Sequence, residues 1–323
     1  MGRLDELRAR LDQLDRKLLE DLNQRLQTVG LIARVKEEGL SFLRDHERES
    51  ELLARIESWA RELGLDHFRT HEIYREIIAM SLKAQEEALL HRDQAERSHR
   101  NAHRVAFQGI EGSYSQLAAR KYFSTRADKM EFVGQRSFAE ALKLTEEGEA
   151  GYAFLPIENT TAGSINQTYD LLRQTDLRIV GEEILHVRHC LLGLEEAGVG
   201  DVRRVLSHPQ ALTQCSRYLA SLGGVEQVAF EDTAASARHV SEVGDPSQAA
   251  IASTEAGAIY ELAVLREDIA DQHENWTRFV VISGLEIELD PRIPAKTSLA
   301  LTTPHREGAL AHCLALLAEH RLN

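Results

Sequence analysis

The chain has 323 residues, 43% of them hydrophobic, and a formal net charge of −14. That length and composition describe a globular protein with room for about two domains, and the acidic balance argues against nucleic acid as a partner. Residues 4–22 alternate leucines with charges, so neither a signal peptide nor a membrane span is expected and the default compartment is cytoplasmic. Cys190, Cys215 and Cys313 are odd in number, far apart and without metal-ligand spacing. They are expected to be reduced thiols that form neither a disulfide framework nor a metal site.

The first proline is Pro156, and residues 4–97 are rich in Leu, Ala, Glu, Arg and Gln with apolar positions three and four apart. This is the pattern of an all-helical domain, taken here as residues 1–95. Leu4, Leu7, Leu11, Leu14, Leu18, Leu22, Leu26 and Val29 form one stripe, continued by Ile32 and Val35. It predicts a first helix of about 30 residues that cannot bury its apolar face alone. A break at Gly39, a periodic run over 51–63, Gly64 and a further run over 65–90 predict two more helices. Residues 96–103 are polar and read as a linker.

From Arg104 the texture changes to short β-rich runs alternating with helical stretches, as at 105–107, 118–123, 131–134 and 138–147. The alternation continues through 151–156, 202–206, 228–230, 249–252 and 279–282. Such an α/β pattern over 104–285 permits two lobes facing a cleft. Pro291 and Pro294 punctuate a second linker. A strand at 297–303 and a helix at 308–320 then open a third unit that stops at Asn323, apparently unfinished.

A three-helix domain without a cofactor motif is ordinarily an interaction module, but its polar residues point to a site. Arg25 and Lys36 lie 11 residues apart, about 16 Å along a helix and nearly whole turns, so both project from one face and can bracket a small dianion. Asp45, Arg48 and Glu49 fall at i, i+3 and i+4, and Ser81 and Gln85 at i, i+4, so each group presents one polar patch. Arg8 lies 17 residues before Arg25, roughly 25 Å away and about a quarter turn off its face, too far to share one small ligand within a chain. An antiparallel partner helix would solve this.

Residues 4–90 resemble the all-helical chorismate mutase family, a domain-swapped dimer of three-helix protomers. Arg8, Arg25, Lys36, Asp45, Arg48, Glu49, Ser81 and Gln85 each stand where that family's pocket pattern has them. The resemblance implies a homodimer in which Arg8 is supplied by the other protomer. It also implies chorismate as substrate, rearranged to prephenate by a pericyclic shift that needs no nucleophile, proton transfer or cofactor. Arg8 and Arg25 would clamp the carboxylates. Lys36 and Gln85 would face the ether oxygen as negative charge builds there. Arg48 would support them, Glu49 would hold the substrate hydroxyl, and Asp45 and Ser81 would complete the wall. For any one of these residues taken singly, a solvated helix face is the better reading.

Four motifs stand at strand ends or in the loops that follow in the α/β region, where such proteins place ligands. They are Gly109 to Ser115, Pro156 to Ser164, Ser207-His208-Pro209-Gln210 with Gln214 one turn on, and Thr277-Arg278-Phe279. Singly they are weak: the glycine turn is more often only a turn, the Asn and Thr side chains of the second are equally suited to capping the next helix, and His208 reads as a turn residue, not a ligand. Together they resemble prephenate dehydratase over residues 104–285, departing in Ile110, where the family usually has proline after the first glycine. The change is expected to alter loop rigidity more than chemistry. The resemblance makes Thr277 the essential hydroxyl and Glu158, Asn159, Thr160, Ser207, Gln210 and Gln214, with Glu231, the binding candidates. Arg278 either holds the pyruvyl carboxylate or supports its loop by an ion pair.

The last stretch, 297–323, resembles the start of an ACT regulatory domain, with Gly308-Ala309-Leu310-Ala311 as its effector turn. It implies a phenylalanine effector only for a longer form. The expectation is therefore multidomain, all-α then two-lobed α/β then partial α+β, with two activities in series and neither metal nor cofactor. The rival is a binding module in which the lobes sense a small acid and the helices only dimerise.

Overall fold

The structure is a computed structural model and describes residues 3–37, 46–95, 101, 103–284, 296–299 and 301–320, the side chains of 33–37, 46, 85–95 and 126–128 excepted. Three helices come first: α1 (Arg3–Glu37), α2 (His46–Glu62) and α3 (His67–Ala95). Gly64, at φ +70°, ends the second. Asp66 then caps the third, accepting from the amides of Phe68 and Arg69 at 3.0 and 3.2 Å. Ile56, Ala60 and Ile78 form the small buried centre where α2 packs on α3. Only the C-terminal half of α1 joins it: Leu22, Leu26 and Val29 are half-buried, whereas Leu4, Leu7, Leu11, Leu14 and Leu18 are exposed. No described helix is long and apolar enough to cross a membrane.

The first lobe contains β1 (Arg104–Gln108), α4 (Tyr114–Tyr122), β2 (Glu131–Gln135), α5 (Phe138–Glu146), β3 (Tyr152–Asn159), β4 (Gly163–Ser164), α6 (Asn166–Leu172) and β5 (Arg178–His186). The second contains β6 (Cys190–Gly193), β7 (Arg204–Ser207), α7 (Pro209–Gln214), α8 (Ser216–Ser221), β8 (Glu226–Ala229), α9 (Thr233–Val243), β9 (Gln248–Ala252), α10 (Thr254–Ile259) and β10 (Ala263–Arg266). The chain then returns, and β11 (Trp276–Ser283) inserts into the first lobe between β3 and β5, giving the order β2-β1-β3-β11-β5 with β4 on β3. The second sheet runs β10-β6-β9-β7-β8.

Short apolar runs such as Val105-Ala106-Phe107 are buried on both faces because helices cover both sides of each sheet. Ala118, Ala119 and Phe123 of α4 and its end pack on one face of the first sheet, and Ala141 and Leu142 of α5 on the other. In the second sheet the two faces take Ala234, Ala237 and Val240 of α9 and Ala211, Leu212 and Leu219 of α7 and α8. Two crossovers join the lobes, outward at 187–189 and back through 267–275, tied where the Val187 amide donates to the Asn275 carbonyl at 2.7 Å.

One expected element is absent. Residues 297–299 and 301–303 carry no strand, although α11 (Ala309–Glu319) follows as expected. A lone strand has no edge to satisfy its amides, and Leu310 and Leu314 of α11 stand exposed.

Candidate active site

In the helical segment Arg25 and Ser81 come together. The Arg25 guanidinium donates to Ser81 Oγ and, at 3.4 Å, to the Ile77 carbonyl, to which Ser81 also donates at 2.7 Å. Burial pushes the Arg25 pKa down, against the opposing pull of Tyr74, so the cation has lost water and, among the described residues, gained no carboxylate in exchange. Arg48 pairs with Glu51 at 3.2 Å. Glu49 is half-buried and opens on a cavity of about 960 Å³ that also meets Lys83, Tyr122 and Glu183. Arg8 is exposed on the free half of α1. Asp45 and the side chains of Lys36 and Gln85 lie outside the described residues.

A cleft of about 570 Å³ opens between the two α/β lobes. Its floor is set by strand alternation. Thr277 and Phe279, two apart on β11, share the cleft face, and they pair with Asn159 and Pro156 of β3, which are three apart. A bulge at Ile157 absorbs the extra residue and keeps all four side chains on one side. Thr277 is buried and its Oγ1 accepts from Asn159 Nδ2 at 2.9 Å; the same amide nitrogen donates to Asn275 Oδ1 at 2.8 Å. Asn159 Oδ1 accepts from the amides of Thr161 and Ala162 at 3.0 and 2.9 Å, which fixes which end of the side chain faces Thr277. With a lone pair so engaged, the Thr277 proton is free to point into the cleft.

The walls are the first turns of helices. Ser113, Ser137 and Asp232 cap α4, α5 and α9 and all three line the cleft, so the positive ends of three helices meet there. Among the described lining residues Arg136 is the one Lys or Arg, opposite Glu231 and Asp232. Burial pushes the Asp232 carboxyl up, against the amides of Ala235 and Ala234 that it accepts from, and pushes the imidazoles of His189 and His208 down. Gly109 sits at φ +112°, and a Cβ there would lie 2.6 Å from Asp232 Oδ2 and 2.8 Å from Ser113 Oγ. Only glycine lets the lobes approach this closely. Ile110 beside it packs on the core of the second lobe.

Asn159, Gln210, Gln214, Thr277 and Glu231 therefore line the cleft, and four expected binders do not. Glu158 and Arg278 share the opposite face of their strands, one residue out of phase with Asn159 and Thr277. There Arg278 binds Glu182 at 2.6 Å and Glu158 at 3.3 Å, and Tyr169 donates to Glu158 at 2.8 Å. Arg278 is thus ion-paired on the face away from the cleft, as the supporting reading expects. Ser207 is fully buried, donating to the Ile251 carbonyl at 2.6 Å. Thr160 bonds the return crossover through the Glu274 carbonyl and the Trp276 amide, at 2.8 and 2.9 Å. His208 is indeed a turn residue, accepting from the Gln210 amide at 3.2 Å, but it also lines the cleft. Arg136, Ser137, His189 and Asp232 escaped the sequence reading; the serine and the aspartate carried an N-cap signal, the other two none.

A helical segment with a part-buried arginine–serine pair, fused to two α/β lobes that hold a hydroxyl–amide cluster at their hinge, defines a two-module protein with a candidate site in each. The family model described as chorismate mutase type II matches residues 7–86, and that of prephenate dehydratase matches 105–286. The bifunctional chorismate mutase/prephenate dehydratase of Enterobacter agglomerans is 38% identical over 98% of this chain and 81% of its own. Two solved structures resemble the α/β part. The quorum-quenching acylase GqqA is 32% identical with TM-score 0.55, over 68% of this chain and 78% of its own. Prephenate dehydratase from Arthrobacter aurescens, solved with L-Phe, is 27% identical with TM-score 0.58, over 67% and 72%. The chain belongs to the bifunctional chorismate mutase/prephenate dehydratase family.

Proposed function

We propose that the chain rearranges chorismate to prephenate on its helices and converts prephenate to phenylpyruvate in the α/β cleft, two consecutive steps of phenylalanine biosynthesis. The observation that carries the second step is Thr277 Oγ1 accepting from Asn159 at 2.9 Å, which leaves its proton available to the cleft. Prephenate loses its ring carboxylate as CO₂. The electron pair of that C–C bond enters the ring, and the 4-hydroxyl departs with one added proton as water. A hydroxyl donor at the leaving oxygen lowers the barrier to that departure. The converging helix starts and Arg136 offset the dianion's charge in a chain of net charge −14. The likeness to GqqA favours no acylase reading here, because among the described residues no serine in the cleft bonds a histidine; Ser113 Oγ accepts from the Gln116 amide at 3.4 Å.

For the first step Arg25 and Arg8 grip the two carboxylates, Lys36 and Gln85 stabilise the ether oxygen, and Asp45, Arg48, Glu49 and Ser81 complete the wall. We read the exposed stripe on α1 as the seam of a homodimer in which a partner's α1 supplies Arg8. Residues 297–323 are read as the opening of an ACT domain, with phenylalanine as effector in a longer form. The free thiols Cys190, Cys215 and Cys313 fit a reducing cytoplasm. An absorbance assay of the whole chain on each substrate tests the reading: both chorismate and added prephenate are expected to end as phenylpyruvate. Consumption of chorismate without phenylpyruvate would refute the dehydratase assignment.

A further inference from the structure

His189 stands in the outward crossover and is almost fully buried against the cleft. Its ring touches both lobes. Nε2 lies 2.8 Å from Gln214 Oε1 on α7 of the second lobe, and Nδ1 lies 3.1 Å from the hydroxyl of Tyr114 on α4 of the first. The amide oxygen of Gln214 only accepts, so with that side chain in this orientation the His189 proton sits on Nε2, while the Tyr114 hydroxyl beside Nδ1 also donates to the Arg188 carbonyl at 2.6 Å. Asn275, in the return crossover, donates to the same oxygen at 3.2 Å. With its oxygen held twice, Gln214 can present only its amide nitrogen to Thr161 Oγ1, to which it donates. Thr161 in turn donates to Asn159 Oδ1 at 2.7 Å. Asn275 closes the circuit by accepting from Asn159.

We infer that His189 is a positioning residue of the dehydratase site, fixing Gln214 and Asn275, and through them Asn159, so that Thr277 presents its proton to the cleft. The inference rests on the dehydratase reading. The route runs through three side-chain amides, which do not pass protons on readily, so His189 orients the donor and does not feed it. Without the Nε2 donor the Gln214 oxygen keeps only Asn275, at 3.2 Å, and a flipped Gln214 turns its oxygen on Thr161 and draws that hydroxyl from Asn159, whose oxygen then keeps only the backbone amides of Thr161 and Ala162.

The experiment compares His189→Gln, whose amide nitrogen can reach the Nε2 position, with His189→Asn, which reaches only the Nδ1 side, and with His189→Ala. Phenylpyruvate formation from added prephenate is followed in the whole chain, with chorismate consumption as the control for folding. His189→Asn and His189→Ala are expected to lower kcat about 10²-fold with little change in KM. His189→Gln should recover most of the loss, and adding His189→Ala to Gln214→Ala should cost little beyond Gln214→Ala alone. In ¹⁵N-histidine spectra the wild-type ring should be neutral with the proton on Nε2. Equal activity of the Gln and Asn variants, a defect confined to KM, additive losses, or a proton on Nδ1 would each overturn the inference. Wild-type protein inactive on prephenate would instead sink the dehydratase reading on which it stands.

Discussion

Leu4, Leu7, Leu11, Leu14 and Leu18 of α1 are between 52% and 66% exposed, whereas Val105, Phe107, Phe154, Phe279 and Val281 in the first α/β sheet are 0–2% exposed. Both sets are large apolar side chains, but those of α1 alternate with charges whereas those of the strands stand in apolar runs, and the two also differ in what each element finds to pack on. The α/β strands meet helices from their own lobe on both faces, and their cleft is closed by residues of one chain. The first half of α1 leaves these five leucines exposed, and burying them against a partner would contribute on the order of 10 kcal/mol. The cleft draws its described lining from one chain, whereas the helical site proposed above would take Arg8 from a partner.

The contrast can be broken most sharply at Thr277. Thr277→Val keeps the shape and removes the donor, and should lower phenylpyruvate formation about 10²–10³-fold while leaving chorismate consumption intact. Equal loss of both activities would mean that the two sites are not separate. The reverse separation should follow from Leu11→Asp with Leu14→Asp. Chorismate consumption should fall at least about tenfold, because a charge pair in the seam costs more than 1.4 kcal/mol, with a shift to monomer in sedimentation and dehydration of added prephenate unchanged. A variant that is monomeric and still a full mutase would remove the dimer from the argument. Arg136→Gln should raise the KM for prephenate by about tenfold, with kcat kept and the salt dependence of kcat/KM reduced. If KM is unmoved, the helix starts alone hold the dianion.

The smallest effect is expected at Glu182, on the face of β5 opposite the cleft. Burial disfavours its ionised form, yet hydrogen bonds from Lys296 and Arg278 outweigh that and hold its carboxyl below the usual carboxylate range. A depressed folded pKa means stability that is present above the unfolded value and lost as pH falls through the folded one. Glu182→Gln should therefore cost about 0.5–1 kcal/mol in urea melts at pH 7, and the gap to wild type should close towards pH 3.

The family resemblance carried by Ser81 and Gln85 with the other pocket residues, and by the motifs at 156–164, 207–210 and 277–279, made the two activities legible in the sequence. The helix boundary at Gly64 was legible too, because a left-handed glycine acts locally. What the motifs did not separate was which of their residues face the substrate. Asn159 and Glu158 are neighbours in one motif, as are Thr277 and Arg278 in another, yet each pair straddles a strand. The bulge at Ile157 decides which member looks into the cleft. Ser207 lies in the SHPQ motif and is packed under it.

The amino-acid sequence by itself determined the order of modules, the helix and strand periodicities and the identity of the reactive types, because those depend on contacts within a few residues. Only the tertiary structure decided that His189, Gln214 and Asn275 meet at the hinge, since they are brought together by two crossovers and a strand that returns from residue 276 to the first lobe. Only it decided that Arg278 is a strut and Arg136 the cleft cation, because sheet register, not spacing, sets which face a side chain takes.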